Sequence, residues 1–356
     1  MTSAPLAPAG EAHRFDEGAL LRYLQGLLPG FDGAVEIRKI GIGQSNPTYT
    51  LQTRQGRYVL RKRPAGNLLP SAHAVDREFQ VMRALADSGV PVPKVHLLCT
   101  DESVIGEMFY VMEHVAGRTL LDPRLAEVER AQRAPMYAEL AKVLARLHAV
   151  DFRQAGLQGF GRPENYVARQ VERWSKQYEA SRVEANEHME RLMSWLREHV
   201  PARDEAAIVH GDYQTHNVLF HPTGTDITAV VDWELSTIGH PMADLAYCCL
   251  PYYAAPDDAR GFRGETPASL GLPSVEEFVA AYCRESGRDA PGDWLFFIIF
   301  SLFRQAAIRA GVYKRALQGS ASSDLGLEVG ARYRMSAQRG WELARALTGG
   351  KDGISP

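Results

Sequence analysis

The sequence of 356 residues is poor in cysteine and has no large excess of charge of either sign. Its four cysteines are Cys99, Cys248, Cys249 and Cys283, and no two of them form a C-x-x-C pair. This pattern predicts free thiols in a reducing cytoplasm. A formal net charge of -3 provides no basic excess to follow a phosphate backbone, so no nucleic-acid partner is expected.

Long hydrophobic runs are also missing. The longest run, Trp294 to Phe303, is about half of the ~20 residues that a membrane span needs, and it predicts a buried helix. Met1 to Gly10 lacks both a positively charged region and a sustained apolar core, so no signal peptide is expected. With 45% hydrophobic and 23% charged residues, the chain has the composition of an ordinary soluble globular protein. We expect it to be cytoplasmic, without a membrane partner.

The most informative stretch is Ile208 to Phe220, followed by Ala229 to Glu234. Its two apolar runs place Asp212, Asn217 and Asp232 in that order. Phosphoryl transfer requires a carboxylate that deprotonates the attacking hydroxyl and hard oxygen ligands for Mg²⁺. We therefore predict Asp212 as the catalytic base and Asn217 with Asp232 as the metal ligands.

A glycine-containing loop lies between two predicted strands, 35–40 and 48–53. Its glycines let the backbone approach a phosphate closely, and its polar side chains supply donors. The residues predicted to contact phosphate are Gly43, Gln44, Ser45 and Asn46. A polar hairpin turn is the more common meaning of such a short loop, so the prediction depends on the segments that follow.

The next predicted strand, Arg57 to Arg63, is basic. In a strand, Val59 and Arg61 share one face, so Arg61 points at the phosphates if Val59 lies over a purine. Lys62, on the other face, is the alternative candidate for the phosphate contact. The predicted helix from Pro70 to Leu85 carries Glu78, which could reach the basic side chain, although an exposed glutamate is the more common outcome.

Four further features complete the site hypothesis. The backbone at Glu113 and Val115, just after an apolar run, could bind an adenine edge. Asp244 could hold the catalytic loop through backbone bonds, whereas His148 is interpreted as a packed histidine and His210 as a structural brace for the loop.

A basic helix face forms the candidate substrate contact. Arg169, Arg173 and Lys176 occur at helical spacing between residues 165 and 178. They fit either a solvated helix face or a groove wall for a phosphate-bearing or carboxylate substrate. The two interpretations remain open at this point.

Taken together, these residues resemble the aminoglycoside phosphotransferase and choline kinase superfamily. The motifs that carry the resemblance are Gly43 to Tyr49, Tyr58 to Arg61, Glu78, His210 to Asp212 with Asn217, and Asp232 to Glu234 with Asp244 to Ala246. Three further segments, 70–78, 161–166 and 232–239, look like the kinase-like domain found fused to some acyl-CoA dehydrogenases. The resemblance implies ATP, Mg²⁺ and phosphorylation of a small-molecule hydroxyl, with hydroxyacyl-CoA as the substrate class of the fused relatives.

The same resemblance implies an α+β, protein-kinase-like bilobal fold. We expect an N-terminal lobe with an antiparallel sheet plus a helix and a mostly helical C-terminal lobe. The predicted ranges are a disordered tail at 1–13, a nucleotide-binding lobe at 14–116, a catalytic and substrate lobe at 117–348, and a frayed tail at 349–356. The oligomeric state is left open.

The chain departs from protein kinases at two places. It lacks the three-glycine loop, and Trp233 and Glu234 follow the metal-binding aspartate where those enzymes have Phe-Gly. Two alternatives to a hydroxyacyl-CoA kinase remain: a kinase of another small alcohol, such as an aminoglycoside, choline or a sugar, and a catalytically silent module that binds a nucleotide or acyl-CoA. A flavin dehydrogenase is rejected, because kinase-like elements fill the chain.

Overall fold

A computed structural model describes residues 15–40, 46–64, 74–258, 261–319 and 326–349. Predictions on residues 1–13 and 350–356, and those on Gly43, Gln44 and Ser45, lie outside the described residues. The chain forms two compact units. Unit 1 comprises Met1–Gly117 with Thr228–Ser236, and unit 2 comprises Arg118–Ile227 with Thr237–Pro356. Residues 228–236 fall within the predicted C-terminal lobe at 117–348, but their contacts place them in unit 1.

The elements are as follows. The strands are β1 (Glu36–Ile40), β2 (Thr48–Gln52), β3 (Arg57–Lys62), β4 (Val95–Cys99), β5 (Phe109–Glu113), β6 (Ala207–Val209), β7 (Val218–Phe220), β8 (Ile227–Val230) and β9 (Thr237–Gly239). The helices are α1 (Glu17–Leu24), α2 (Val75–Leu85), α3 (Arg130–Ala149), α4 (Tyr166–Ser181), α5 (Glu187–Glu198), α6 (Pro241–Cys248), α7 (Leu250–Tyr253), α8 (Pro267–Leu270), α9 (Val275–Ser286), α10 (Trp294–Leu317), α11 (Gly326–Ala331) and α12 (Tyr333–Gly349). Single 3₁₀ turns occur at Thr215–Asn217 and Trp233–Leu235.

Unit 1 is built on an antiparallel five-stranded sheet in the order β1-β2-β3-β5-β4. Successive side chains of a strand point to opposite faces, and β3 shows this alternation clearly. Leu60 packs in an apolar cluster with Leu20 and Leu24 of α1 on one face. Arg61 points to the other face, toward α2. The predicted alternation of this strand is therefore confirmed.

Helix α2 covers that second face and contacts β4, β5 and the turn Trp233–Leu235. Its apolar residues Val81, Met82 and Leu85 are buried at helical spacing. The segment Thr228–Ser236 is bound to the rest of unit 1 through its backbone. The Val230 amide donates to the Pro91 carbonyl at 2.8 Å. These contacts place Asp232 on the same face as α2.

Unit 2 is mostly helical, and its longest helix, α10, is a core element. The side chains of α10 are largely buried from Phe296 to Gly311, and the helix packs against α4, α6 and α12. By length and composition α10 could cross a membrane, but 72% of its most apolar stretch is buried inside the protein. The predicted buried helix is confirmed and extends farther than the apolar run. With the sheet of unit 1, these helices confirm the predicted α+β class.

The backbone before the catalytic motif is fixed by a short antiparallel pair, β6 with β9. Gly239 ends β9 where there is no room for a side chain. A Cβ there would lie 2.7 Å from a ring carbon of Tyr166 and 2.9 Å from a methyl group of Val209. Such distances require neighbours to move.

We predict that Gly239→Ala lowers the free energy of unfolding by about 1–3 kcal/mol, because overpacking displaces buried neighbours. Urea unfolding measures the change through the midpoint at constant slope. Gly159→Ala is the matched control, since nothing lies within 4 Å of a Cβ at that position. Equal midpoints for the two variants would contradict the predicted close packing at β9.

Candidate active site

In unit 1, a buried carboxylate organises a polar cluster. Glu78 is 0% exposed and accepts hydrogen bonds from Asn46 Nδ2 at 2.6 Å and the Tyr110 hydroxyl at 3.1 Å. Arg61 Nε lies 3.0 Å from Glu78 Oε2. Burial raises the pKa of Glu78, and the Arg61 guanidinium opposes that change. The donors compensate for the lost hydration of the carboxylate.

Arg61 connects this cluster to Asp232. Its Nη2 donates to Asp232 Oδ1 at 2.5 Å. Burial alone lowers the pKa of Arg61, but the negative charge of Glu78, with that of Asp232, raises it overall. The guanidinium therefore remains charged. Lys62 is buried on the opposite face, where burial lowers its pKa, so Arg61 is the cation beside Asp232.

The backbone at Asp232 has an uncommon conformation. Its φ of 67° and ψ of 59° lie in the left-handed region, which residues other than glycine rarely adopt. The neighbouring Trp233 is fully buried and donates from Nε1 to the Val230 carbonyl at 3.0 Å. This anchor holds the turn while the Asp232 side chain stays 30% exposed. Such conformations are concentrated at ligand and active sites.

In unit 2, a second buried carboxylate holds the loop that carries Asp212. Asp244 accepts hydrogen bonds from the His210 amide at 2.6 Å and the Gly211 amide at 2.8 Å. Gly211 has a φ of 84°, which glycine adopts without strain. Arg304 donates to the Gly211 carbonyl. The predicted role of Asp244, to hold the loop by backbone bonds, is confirmed.

The Asp244 carboxylate is held in turn by the side chain of His148. His148 Nε2 lies 3.4 Å from Asp244 Oδ2, and His148 Nδ1 lies 2.8 Å from the Tyr282 hydroxyl. Burial lowers the pKa of His148 despite the opposing effect of Asp244, so the ring is neutral at neutral pH. Nε2 then donates to Asp244 and Nδ1 accepts from Tyr282. His148 is a packed histidine, as the sequence indicated.

Asn217 holds Asp212 from within the same loop. Asn217 Nδ2 donates to the Asp212 carbonyl at 2.8 Å and to Asp212 Oδ2 at 2.9 Å. His210 accepts from the Asp212 amide through Nδ1 at 3.2 Å, in agreement with its predicted structural role. Because the amide nitrogen of Asn217 is directed at Asp212, its oxygen is the atom that a cation would bind.

Asp212 lies on the wall of a cavity of about 430 Å³, here called the Asp212 cavity. Its polar lining includes Gln214, Gln305 and Arg309, and its apolar lining includes Leu140. Arg309 is held by an ion pair with Asp258 and by Ser336 Oγ at 2.7 Å. The size and mixed polarity are those of a small-molecule site.

The predicted basic face lies elsewhere in unit 2. Arg169, Arg173 and Lys176 line an open groove along α4, and none of them lines the Asp212 cavity. Arg169 donates to the Arg162 carbonyl at 2.5 Å. Arg173 lies over the Trp174 ring, 5.3 Å from its centre. A substrate role for these residues stays a prediction.

The other predicted contacts are in unit 1. The Glu113 carboxylate accepts from the Lys94 amide at 2.8 Å, and Val115 is half-buried. Their role in binding adenine stays a prediction.

Arg304 was not identified from the sequence. It directly follows the apolar run Trp294 to Phe303 in α10, where it stacks over the Tyr247 ring at 4.5 Å and holds Gly211. An arginine at the end of such an apolar run was the available signal, because this charge is rarely buried without a partner.

The predicted metal ligands are oxygen donors of the kind that Mg²⁺ takes. Mg²⁺ keeps several waters and needs few protein oxygens. Asn217 in unit 2 offers an amide oxygen and Asp232 in unit 1 offers a partly exposed carboxylate, and their joint role as ligands stays a prediction. The described residues contain no group of three histidine, cysteine, aspartate or glutamate side chains that could hold a metal. A site with all its ligands from such side chains is therefore not found in the described part of the chain.

Comparison with known proteins gives a family match over most of the chain. Residues 36–294 match the family model described as "Phosphotransferase enzyme family". The chain is 44% identical over 340 residues to acyl-CoA dehydrogenase family member 10 of Mus musculus, covering 95% of this chain and 32% of that protein. It is 44% identical to acyl-CoA dehydrogenase family member 11 of Gallus gallus, covering 94% of this chain and 44% of that protein. The chain thus spans less than half the length of these curated relatives.

A crystal structure from Ralstonia eutropha provides the fold comparison. That protein, provisionally assigned as an aminoglycoside phosphotransferase, is 44% identical to this chain with a TM-score of 0.85. The match covers 93% of this chain and 99% of the other. The kinase-like fold implied by the sequence motifs is therefore confirmed.

The neutral state of His148 leads to a prediction for pH dependence. Its folded pKa is lowered, so below about pH 6.5 the unfolded chain binds a proton that the folded chain does not. Stability therefore falls as the pH falls. We predict that His148→Gln reduces the difference in urea midpoint between about pH 7.5 and about pH 5.5. His188→Gln, at a partly exposed position on α5, is the control and keeps the wild-type difference. An unchanged difference in His148→Gln would refute the assignment.

Proposed function

Because the chain belongs to the phosphotransferase enzyme family, we propose that it transfers a phosphoryl group from ATP, with Mg²⁺, to the hydroxyl of a small molecule. The observation that carries this proposal is the setting of Asp212. Its carboxylate is held by Asn217, its loop is fixed by Asp244, and it lies on the wall of a ligand-sized cavity. A positioned carboxylate beside a substrate cavity is what hydroxyl phosphorylation requires.

Each polar group has a distinct proposed role. Asp212 accepts the proton of the acceptor hydroxyl as the phosphoryl group moves. Asn217 restricts the carboxylate to one orientation, through its bonds to both the carbonyl and Oδ2 of Asp212. Asn217 and Asp232 would hold Mg²⁺, which neutralises charge on the triphosphate when bound.

Arg61 is proposed to contact the phosphates. Glu78 fixes its Nε and Asp232 accepts from its Nη2, so two carboxylates orient the guanidinium. A guanidinium offers five donors, and the remaining ones suit phosphate oxygens. Asn46, with Gly43, Gln44 and Ser45 of the adjoining loop, is proposed to act on the same phosphates. The backbone of Glu113 and Val115 is proposed for the purine edge.

For the acceptor, we propose a hydroxyacyl-CoA or a related hydroxy acid. The relatives whose names refer to acyl-CoA chemistry are 44% identical over nearly the whole chain. In the Asp212 cavity, Asp212 is the one carboxylate among the described lining residues, which also include Arg309 and Arg332. Both arginines have acidic partners, so the wall is near neutral rather than strongly basic. It still offers little to attract a cationic aminoglycoside or choline.

The two alternatives make different demands. A kinase of another small alcohol would share the Asp212 chemistry and differ only in the walls of the cavity. A silent binding module would not need the paired hydrogen bonds that orient Asp212, nor a left-handed turn that presents Asp232. The retained Asp212, Asn217 and Asp232 argue against such a module.

Substitution of the base is the first test. We predict that Asp212→Asn lowers turnover by roughly 10²–10⁴-fold, because the amide cannot accept the hydroxyl proton. ATP binding, measured by calorimetry, should remain close to that of the wild type. Asp226→Asn, at an exposed position in the turn before β8, is the matched control and should retain turnover. Full activity of Asp212→Asn would remove Asp212 from the mechanism.

Substrate selection is tested by ATP consumption across a panel. The panel holds hydroxyacyl-CoAs, the same acyl-CoAs without the hydroxyl, an aminoglycoside, choline and a sugar. We predict consumption with hydroxyacyl-CoAs and none with their deoxy partners, since the acyl chain of the latter carries no hydroxyl to accept the phosphoryl group. Turnover of choline or the aminoglycoside alone would favour the alternative kinase. Tight ATP binding with no turnover of any compound would favour the silent module.

A further inference from the structure

A second cavity of unit 2, of about 660 Å³, is separate from the Asp212 cavity. It is formed by α9, the start of α10 and α12, and its walls are mainly aliphatic. The aliphatic side chains include Val275, Val279, Leu295 and Leu343. No described residue lines both cavities. Its volume is within the range of small-molecule sites.

One buried cation on this wall lacks a complete set of partners. Arg339 of α12 is only 8% exposed, yet its Nε has no hydrogen-bond partner among the described residues. Its Nη1 is 3.6 Å from Glu342 Oε2, which is an ion pair at long range. A buried N–H group of a charged side chain that lacks an acceptor is unfavourable. The charge of Arg339 is therefore incompletely compensated, and an anionic ligand in the cavity would compensate it.

A second donor lies on the same wall. Tyr253 is 4% exposed, and its hydroxyl accepts from Trp294 Nε1 at 2.9 Å. No described residue accepts the proton of this hydroxyl. Burial raises the pKa of Tyr253 to about 12 against the opposing effects of Trp294 and Arg339, so the hydroxyl remains a donor at neutral pH. Tyr253 and Arg339 therefore both line the cavity, Tyr253 with a hydroxyl donor and Arg339 with an incompletely compensated charge.

We propose that this cavity, here called the Arg339 cavity, binds an aliphatic carboxylic acid. The carboxylate pairs with the Arg339 guanidinium and accepts from the Tyr253 hydroxyl, and the chain lies along Val279 and Leu343. Charge complementarity selects the head group, because the lining carries two cations, Arg339 and Arg284, against one carboxylate, the exposed Glu276. An anion is therefore favoured over an ammonium group. An alcohol is a weaker partner, because a guanidinium binds a carboxylate through charge-assisted bonds. The site is separate from the proposed catalytic residues, so it does not depend on the proposed function.

Calorimetry with the full chain tests the head group. Decanoate is the probe, and decylamine and decanol have the same ten-carbon chain with other heads. We predict that decanoate binds, that decanol binds at least about tenfold more weakly, and that decylamine does not bind. Absence of decanoate binding would overturn the proposal. Equal binding of all three compounds would reduce the site to a nonspecific apolar cavity and would overturn it as well.

Two variants test the cavity itself. Arg339→Gln should weaken decanoate binding about tenfold or more, and Arg345→Gln, exposed on the same helix, should leave it unchanged. Because Arg339→Gln could also affect folding, Ala280→Trp is the second variant. Ala280 is exposed and lines the cavity on α9, so a large side chain there occludes the space without altering Arg339. Wild-type affinity in a folded Ala280→Trp would exclude this cavity as the site.

Two cysteines report the location of the bound acid. Cys283 lines the Arg339 cavity, and Cys248 lines the Asp212 cavity. We predict that decanoate slows the alkylation of Cys283, measured by peptide mass spectrometry, and leaves that of Cys248 unchanged. Protection of Cys248 alone would move the acid to the Asp212 cavity and overturn the proposal.

Discussion

The hydrogen bonds from the amides of His210 and Gly211 to Asp244 are the interaction on which the proposed active site depends. A loop backbone cannot hold a catalytic side chain by propensity alone, because each residue retains its conformational freedom unless packing or hydrogen bonds remove it. One buried carboxylate satisfies two amides at once and sets the direction in which the chain leaves β6. His148 orients that carboxylate in turn, and Arg304 fixes the carbonyl of Gly211. The position of Asp212 is therefore determined by residues that do not line its cavity.

The same device recurs in unit 1, where buried Glu78 fixes Arg61. In both units a carboxylate that would be costly to bury alone becomes stable because several donors converge on it. Glu78 positions a cation in unit 1, and Asp244 positions, through two backbone amides, the loop that carries Asp212 in unit 2. The names of the relatives refer to acyl-CoA dehydrogenation, but the match covers only part of those proteins. The matched residues are those of the phosphotransferase family.

Sequence reasoning was most successful where chemistry and periodicity agreed. The strand alternation at Arg61 and the loop-holding role of Asp244 followed from spacing and motif order, and both are observed. Helices α5 and α12 were not anticipated, although Met189, Leu192, Met193 and Leu196 of α5 recur at helical spacing and are buried. Sequence reasoning also missed the partners of buried groups, such as Tyr282 on His148, since these are 134 positions apart in the chain. Which distant residues meet in a core is decided by packing, and spacing along the chain does not report it.

Helix α10 lines the Arg339 cavity at Leu295 and the Asp212 cavity at Ile308. At 1.5 Å per residue, these positions are roughly 20 Å apart on one rod. A close-packed helix cannot shift locally without carrying its neighbours, because the surrounding core has little free volume. The middle of α10 therefore supports both cavities, and a substitution there that displaces the helix is expected to change the shape of both.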